Sequence, residues 1–218
     1  MTRSGCAWRR LGAVVTLLSL AGLATAQPPS KEALAVSGQV LDRGDWRALA
    51  LRCPASLMPQ VQSLVYLGRK QCEPGQMQSC LAECAQNDAG ACYWLAEALQ
   101  EAHVASHASV VLFQRACQLG IASGCTNRAA GLFEERRDDV EVQACAARTY
   151  DKACQADDPW ACTMQALHLS RGLGVRQDRQ QALKVLEKSC KYGPEDPACT
   201  YGQRLKATIV NDAASPTE

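Results

Sequence analysis

The chain has 218 residues, with 23 Lys and Arg against 22 Asp and Glu, a formal net charge of +1, and 13 cysteines. Near-neutrality excludes the basic excess by which proteins hold nucleic acid. Only 5% aromatics within a 47% hydrophobic content asks for a core of Ala, Leu, Val and Cys, which favours helices, and so many cysteines exclude a reducing cytosol unless they bind metal.

Residues 1–26 read as a secretory signal peptide. Arg3, Arg9 and Arg10 precede the apolar run Leu11 to Leu23, and Ala24-Thr25-Ala26 offers a small-x-small cleavage site before Gln27. The run is shorter than the roughly 20 residues a spanning helix needs, so no stable membrane insertion is expected after cleavage. Cys6 lies ahead of the apolar run and cannot be a lipidated lipobox cysteine. Cleavage leaves 20 basic against 22 acidic residues and an even set of 12 cysteines, as a disulfide framework requires. The expected location is periplasmic or secreted.

Residues 27–60 read as an irregular helical N-terminal cap. Lys31 to Leu41 is short and amphipathic, Arg43-Gly44-Asp45 breaks it, and Trp46 to Leu51 resumes helical periodicity before Pro54. Arg-Gly-Asp is also an adhesion tripeptide, but Gly44-Asp45 serves equally as a helix stop and N-cap.

The cysteines that follow are periodic. Cys72/Cys80, Cys84/Cys92, Cys117/Cys125 and Cys154/Cys162 are C-x7-C pairs, and Cys190/Cys199 is C-x8-C. From Cys84 through Cys117 and Cys154 to Cys190 the steps are 33, 37 and 36 residues, a self-similarity that marks an array of helical hairpins. In each unit the first cysteine ends an amphipathic stretch, as in Leu112-Phe113-Gln114-Arg115-Ala116-Cys117. Turn formers follow (Gly120 and Gly124, Asp157-Asp158-Pro159, Gly193-Pro194), and the second cysteine opens another helical stretch. The last unit shows the clearest stripe: Ala182, Leu183, Val185, Leu186 and Cys190, with Arg179, Lys184, Glu187 and Lys188 outside it.

Eight positions along a straight helix span about 12 Å, whereas a disulfide needs Cα atoms within about 7 Å. A bridge therefore requires the chain to reverse between the cysteines, which a Gly/Pro/Asp turn between two helices achieves. Closing a loop of about nine residues contributes roughly 2–3 kcal/mol on the chain-entropy argument. Zinc ligation competes poorly, because C-x2-C knuckles are absent and only Cys80-x3-Cys84 has ligand spacing. No redox C-x-x-C or haem C-x-x-C-H occurs.

The C-x7-C hairpin at a period near 36, with the linker Gly172-Leu173-Gly174-Val175-Arg176-Gln177-Asp178 leading into Ala182, resembles the Sel1-like repeats, in particular their cysteine-rich exported members. The resemblance covers residues 61–208 and implies an all-α fold, an α/α solenoid of disulfide-bridged hairpins with a concave binding groove. The G-x-G-V-x-x-D linker is complete once; the linker between Cys92 and Cys117 has no glycine, and the one after Cys125 carries an N-cap at Asp138 or Asp139. Cys72/Cys80 and Cys84/Cys92 are only 12 residues apart, so their bridging pattern stays open. Cys53 and Cys145 are left over, and their open pairings are with each other, with another chain, or with one of Cys72, Cys80 and Cys84. Residues 209–218 read as a flexible tail.

Candidate chemistry is sparse. His103 and His107 have the i, i+4 spacing of a metal pair but fall at an inter-repeat turn without H-E-x-x-H. His168 lies among Ala166, Leu167 and Leu169, the surroundings of a satisfied or half-exposed histidine. No G-x-S-x-G elbow, Walker loop or Rossmann glycine pattern occurs. The resemblance implies an alternative, penicillin binding or weak β-lactam hydrolysis, but S-x-x-K and K-T-G are both missing. The expectation is therefore no catalytic, cofactor or metal residues, and a scaffold that binds a protein or peptide, with cell-wall material as a further ligand class. Tyr93, Trp94, Tyr150 and Trp160 are the candidate anchors, each with inter-hairpin packing as the competing role.

Overall fold

The computed structural model describes residues 29–64, 72–104 and 107–214, so the signal-peptide reading of residues 1–26 lies outside the described residues. Among those residues the chain is all-helical, with one isolated parallel bridge between Ser63 and Ile121. From residue 72 onward the helices are α3 (Met77–Ala85), α4 (Ala89–Glu101), α5 (His107–Gln118), α6 (Ala122–Glu135), α7 (Val140–Gln155), α8 (Pro159–Arg171), α9 (Arg179–Leu186) and α10 (Pro197–Ala214). A 3-10 turn, Glu187–Cys190, follows α9. Each helix packs on the next in chain order. Before them come α1 (Lys31–Leu41), α2 (Gly44–Ala50) and a 3-10 turn, Pro54–Ser56.

The hairpin tips share one backbone device. Three residues after the first cysteine of every pair the chain turns left-handed: Gly75 (φ 88°), Asn87 (72°), Gly120 (100°), Asp157 (64°) and Gly193 (103°). Gly, Asn and Asp are the residues that tolerate this region. In the three middle tips, the amide of the following residue reaches back across the helix end. Asp88 donates to the Glu83 carbonyl (3.0 Å), Ile121 to Ala116 (2.9 Å) and Asp158 to Ala153 (3.1 Å), the longer hydrogen bond of a Schellman ending. Asp88 and Asp158 then cap the next helix through their carboxylates, which accept from the Ala91 and Trp160 amides. The reversal brings the paired cysteines together, with Cα–Cα separations of 4.7 Å for Cys84–Cys92, 4.5 Å for Cys117–Cys125, 4.6 Å for Cys154–Cys162 and 4.3 Å for Cys190–Cys199. Cys72–Cys80 is also bridged, at 5.7 Å, and fastens the lead-in segment to α3.

The G-x-G linker has its own geometric reason. Gly174 (φ 63°) presses on the α7 backbone at Gln143 and Ala144, where a Cβ would have no room. Nearby, the Asp178 carboxylate caps α9 by accepting from the Gln181 amide (2.8 Å).

The N-terminal segment departs from the expected cap. Residues 31–64 do not sit at one end of the helical series but run along its flank, as a strap. Helix α1 packs on α3 and α5, α2 on α5, and the turn Pro54–Ser56 on α6 and α7. Ala33, Val36 and Val40 of α1 are fully buried in the cluster that also holds Leu81, Leu95 and Leu112. Polar contacts fix the register. The Glu32 carboxylate accepts from the Gly75 and Met77 amides at 2.7 and 2.9 Å. Buried Arg128 donates from Nε and Nη2 to the Ala50 carbonyl at 3.0 and 2.6 Å. Lys152 donates to the Ala55 carbonyl at 2.8 Å. Ser63 exchanges backbone hydrogen bonds with Gly120 and Ala122, so the strap extends past the expected boundary at residue 60. The two leftover cysteines pair with each other: Cys53–Cys145 spans 92 positions and ties the strap to α7.

The C-terminal expectation also changes. Helix α10 continues to Ala214, and Ile209 is buried beside Leu186 and Leu205. An apolar side chain with a place in the core keeps residues 209–214 helical instead of frayed.

Candidate functional site: an aromatic and acidic groove

The strap packs on α3, α5, α6 and α7, and a groove of about 690 Å³ lies among α4, α5, α6 and the start of α8. Tyr93, Trp94 and Glu97 come from α4, Asn127, Glu134 and Glu135 from α6, Trp160 from α8, and Asp196 from the turn before α10.

Local sequence explains each placement. Tyr93 and Trp94 directly follow Cys92, and Trp160 precedes Cys162, so the bridges that close the tips fix where these rings emerge. Tyr93 lies edge-on to Trp94 (5.2 Å between centroids) and to buried Phe113 (5.6 Å); Trp160 is tilted against Tyr201 at 6.0 Å. Such pairs hold the rings in place. Tyr93, Trp94 and Trp160 are all half-buried. In the groove wall, Asn127 donates to the Glu97 carboxylate at 2.9 Å and to the Tyr93 hydroxyl at 3.5 Å. Burial and neighbouring Glu97 push the Tyr93 phenol far above its ordinary range, so it stays a protonated donor.

Three of the four aromatic candidates thus converge on one groove. The fourth does not: Tyr150 is fully buried and packs edge-on to His168 at 5.1 Å. Burial raises its phenol and keeps it neutral. His168 is likewise fully buried, between Tyr150 and Phe133, and its Nδ1 lies 2.8 Å from the Leu173 carbonyl. That contact makes Nδ1 the donor, and burial depresses the ring's basicity. The ring therefore anchors the G-x-G linker to α8. His103 is exposed in the turn after α4 with φ 52°, and His107 is exposed at the start of α5. Among the described residues no group of three His, Cys, Asp or Glu side chains is arranged to hold a metal ion, and no helix is long and apolar enough to cross a membrane.

Sequence reasoning missed the four carboxylates, Glu97, Glu134, Glu135 and Asp196, which share the groove with the rings. They come from two helices and a turn far apart in the chain. Only helical phase held a signal: Glu97 lies one turn beyond Tyr93.

Fold and site together define a class: an all-helical, hairpin-by-hairpin protein, closed by six disulfides among the described residues, with an aromatic and acidic groove among α4, α5, α6 and α8. Compared with protein-family models, curated proteins and solved structures, the chain matches none.

Proposed function

We propose that this chain is an exported, non-catalytic scaffold, a Sel1-like α/α solenoid that binds proteins or peptides through the groove between α4, α6 and α8. One observation carries the reading: Tyr93, Trp94 and Trp160 lie half-buried in a single groove of about 690 Å³, where fixed rings give contact area at small entropic cost. Export is supported by residues 1–26 and by twelve cysteines in six bridges, a state that persists only in oxidising compartments; the location is periplasmic or secreted.

The test is a peptide-display library panned on the purified oxidised protein, with a W94A/W160A variant as counter-selection. Enriched peptides should bind the native protein and lose most of their affinity for the variant. Absence of enrichment, or enrichment indifferent to both substitutions, overturns the binding assignment. Nitrocefin turnover by the same preparation would overturn the non-catalytic part.

A further inference from the structure

Resting on that binding reading, we propose that the occupant of the groove is a cationic polypeptide segment, rich in arginine or lysine. The lining contains four carboxylates, Glu97, Glu134, Glu135 and Asp196, and no lysine or arginine. Glu134 and Glu135 are exposed at the end of α6. The two arginines that follow them in sequence are committed elsewhere: Arg136 pairs with Asp139 at 3.5 Å, and Arg137 lies over the Phe133 ring at 5.6 Å. Buried Arg128 lies beside this wall, its Nη1 near Gly131 and its charge acting on Glu135, while its Nε and Nη2 are turned to the Ala50 carbonyl.

Acid alone would make a solvated face. Here the carboxylates share the groove with the phenol of Tyr93 and the indoles of Trp94 and Trp160, and a cation held over such a ring is attracted by its electron-rich face in addition to its ion pairs. The protein already uses this chemistry internally. Trp46 carries the guanidinium groups of Arg43 and Arg115 at 4.4 and 4.7 Å. Arginine suits both partners at once, because its flat group stacks on a ring while its edge donates to a carboxylate. The lining draws on α4, α5, α6, α8 and the turn into α10, which fits an extended segment better than a single small cation.

The experiment uses full-length oxidised protein and three short fluorescein-labelled peptides of equal length, alternating Ala with Arg, Gln or Glu. Binding is read by anisotropy at low and physiological salt. The Arg peptide should bind saturably and the Glu peptide should not. E134Q/E135Q, which changes only exposed side chains, should weaken the Arg peptide about five-fold or more. W94A/W160A should weaken it about ten-fold or more, and the distant exposed pair E141Q/E187Q should leave it within about two-fold. Equal loss in the distant pair would overturn the proposal by showing diffuse charge attraction. Equal binding of the Gln and Arg peptides, both sensitive to W94A/W160A, would overturn the cationic assignment and leave the groove reading standing. Failure of every peptide to respond to W94A/W160A, with no library enrichment, would overturn both.

Discussion

Asp158 shows how much one residue of this repeat carries. It is fully buried, caps α8 through the Trp160 amide at 3.1 Å, and lies 2.6 Å from the Thr126 hydroxyl. Thr126 has one proton to give, and the Ala122 carbonyl 3.2 Å away also accepts it. When Asp158 is protonated both contacts are satisfied, since the acid donates to Thr126 and Thr126 donates to Ala122. Burial favours that neutral form and raises the Asp158 pKa above its ordinary 3.8, against the hydrogen bonds that lower it. A carboxyl with a raised folded pKa binds its proton more tightly folded than unfolded. Its contribution is therefore greatest below 3.8 and falls away as pH rises through the folded value. Asn mimics the neutral acid at every pH. Thermal melts of wild type and D158N should accordingly diverge in favour of the variant between pH 4 and pH 7. D158A, which removes the cap, should cost about 1 kcal/mol or more at both. A D158N deficit that grows with pH would show that the ionised cap is the stabilising form.

At the scale of elements, the strap is the feature that sequence reasoning could not reach. The hairpin framework was legible because its signals are local: paired cysteines, the Gly, Asp and Pro turn formers between them, and an Asp cap before α7. Gly174 belongs with these, since the linker that contains it stands out as a string. The strap depends on side chains tens of residues from their partners, among them Arg128 with Ala50 and Lys152 with Ala55. Nothing in a helical period records such pairings. Even the left-over cysteines gave only a short list of partners. The groove was half legible for the same reason: its rings sit beside cysteines that fix their phase, and its acids do not. Closing a loop of more than ninety residues contributes about 4–5 kcal/mol on the chain-entropy argument, the largest of the six bridges. In a chain of this size each kcal/mol moves the melting temperature about 2–4 °C. C53S/C145S should therefore melt on the order of 10 °C lower, and trypsin should cut faster after exposed Arg52. An unchanged melting temperature would mean that Glu32, Arg128 and the α1 core contacts hold the strap without the bridge.

For the whole molecule, the bridges differ in access, and access governs how an oxidised protein opens. Cys84, Cys92, Cys117, Cys154 and Cys162 sit inside the helical layers, each at most 3% exposed, and both partners of Cys72–Cys80 are buried. Two bridges have a half-buried member: Cys53–Cys145, on the strap, and Cys190–Cys199, at the last tip. Exchange needs a thiolate to reach a sulfur in line with the bond, so the folded chain should surrender these two first. The inner four should react only after local or global opening. Graded dithiothreitol at neutral pH, quenched with iodoacetamide and followed by peptide mapping, should label Cys53 and Cys145 together with Cys190 and Cys199, while Cys84, Cys92, Cys117 and Cys125 remain bridged. Since the groove is built from α4, α5, α6 and α8, whose tips are closed by the protected bridges, peptide binding should survive this first stage. Loss of binding in step with Cys53 labelling would make the strap part of the binding surface, and simultaneous labelling of all twelve would make the helices one cooperative unit with no separable flank.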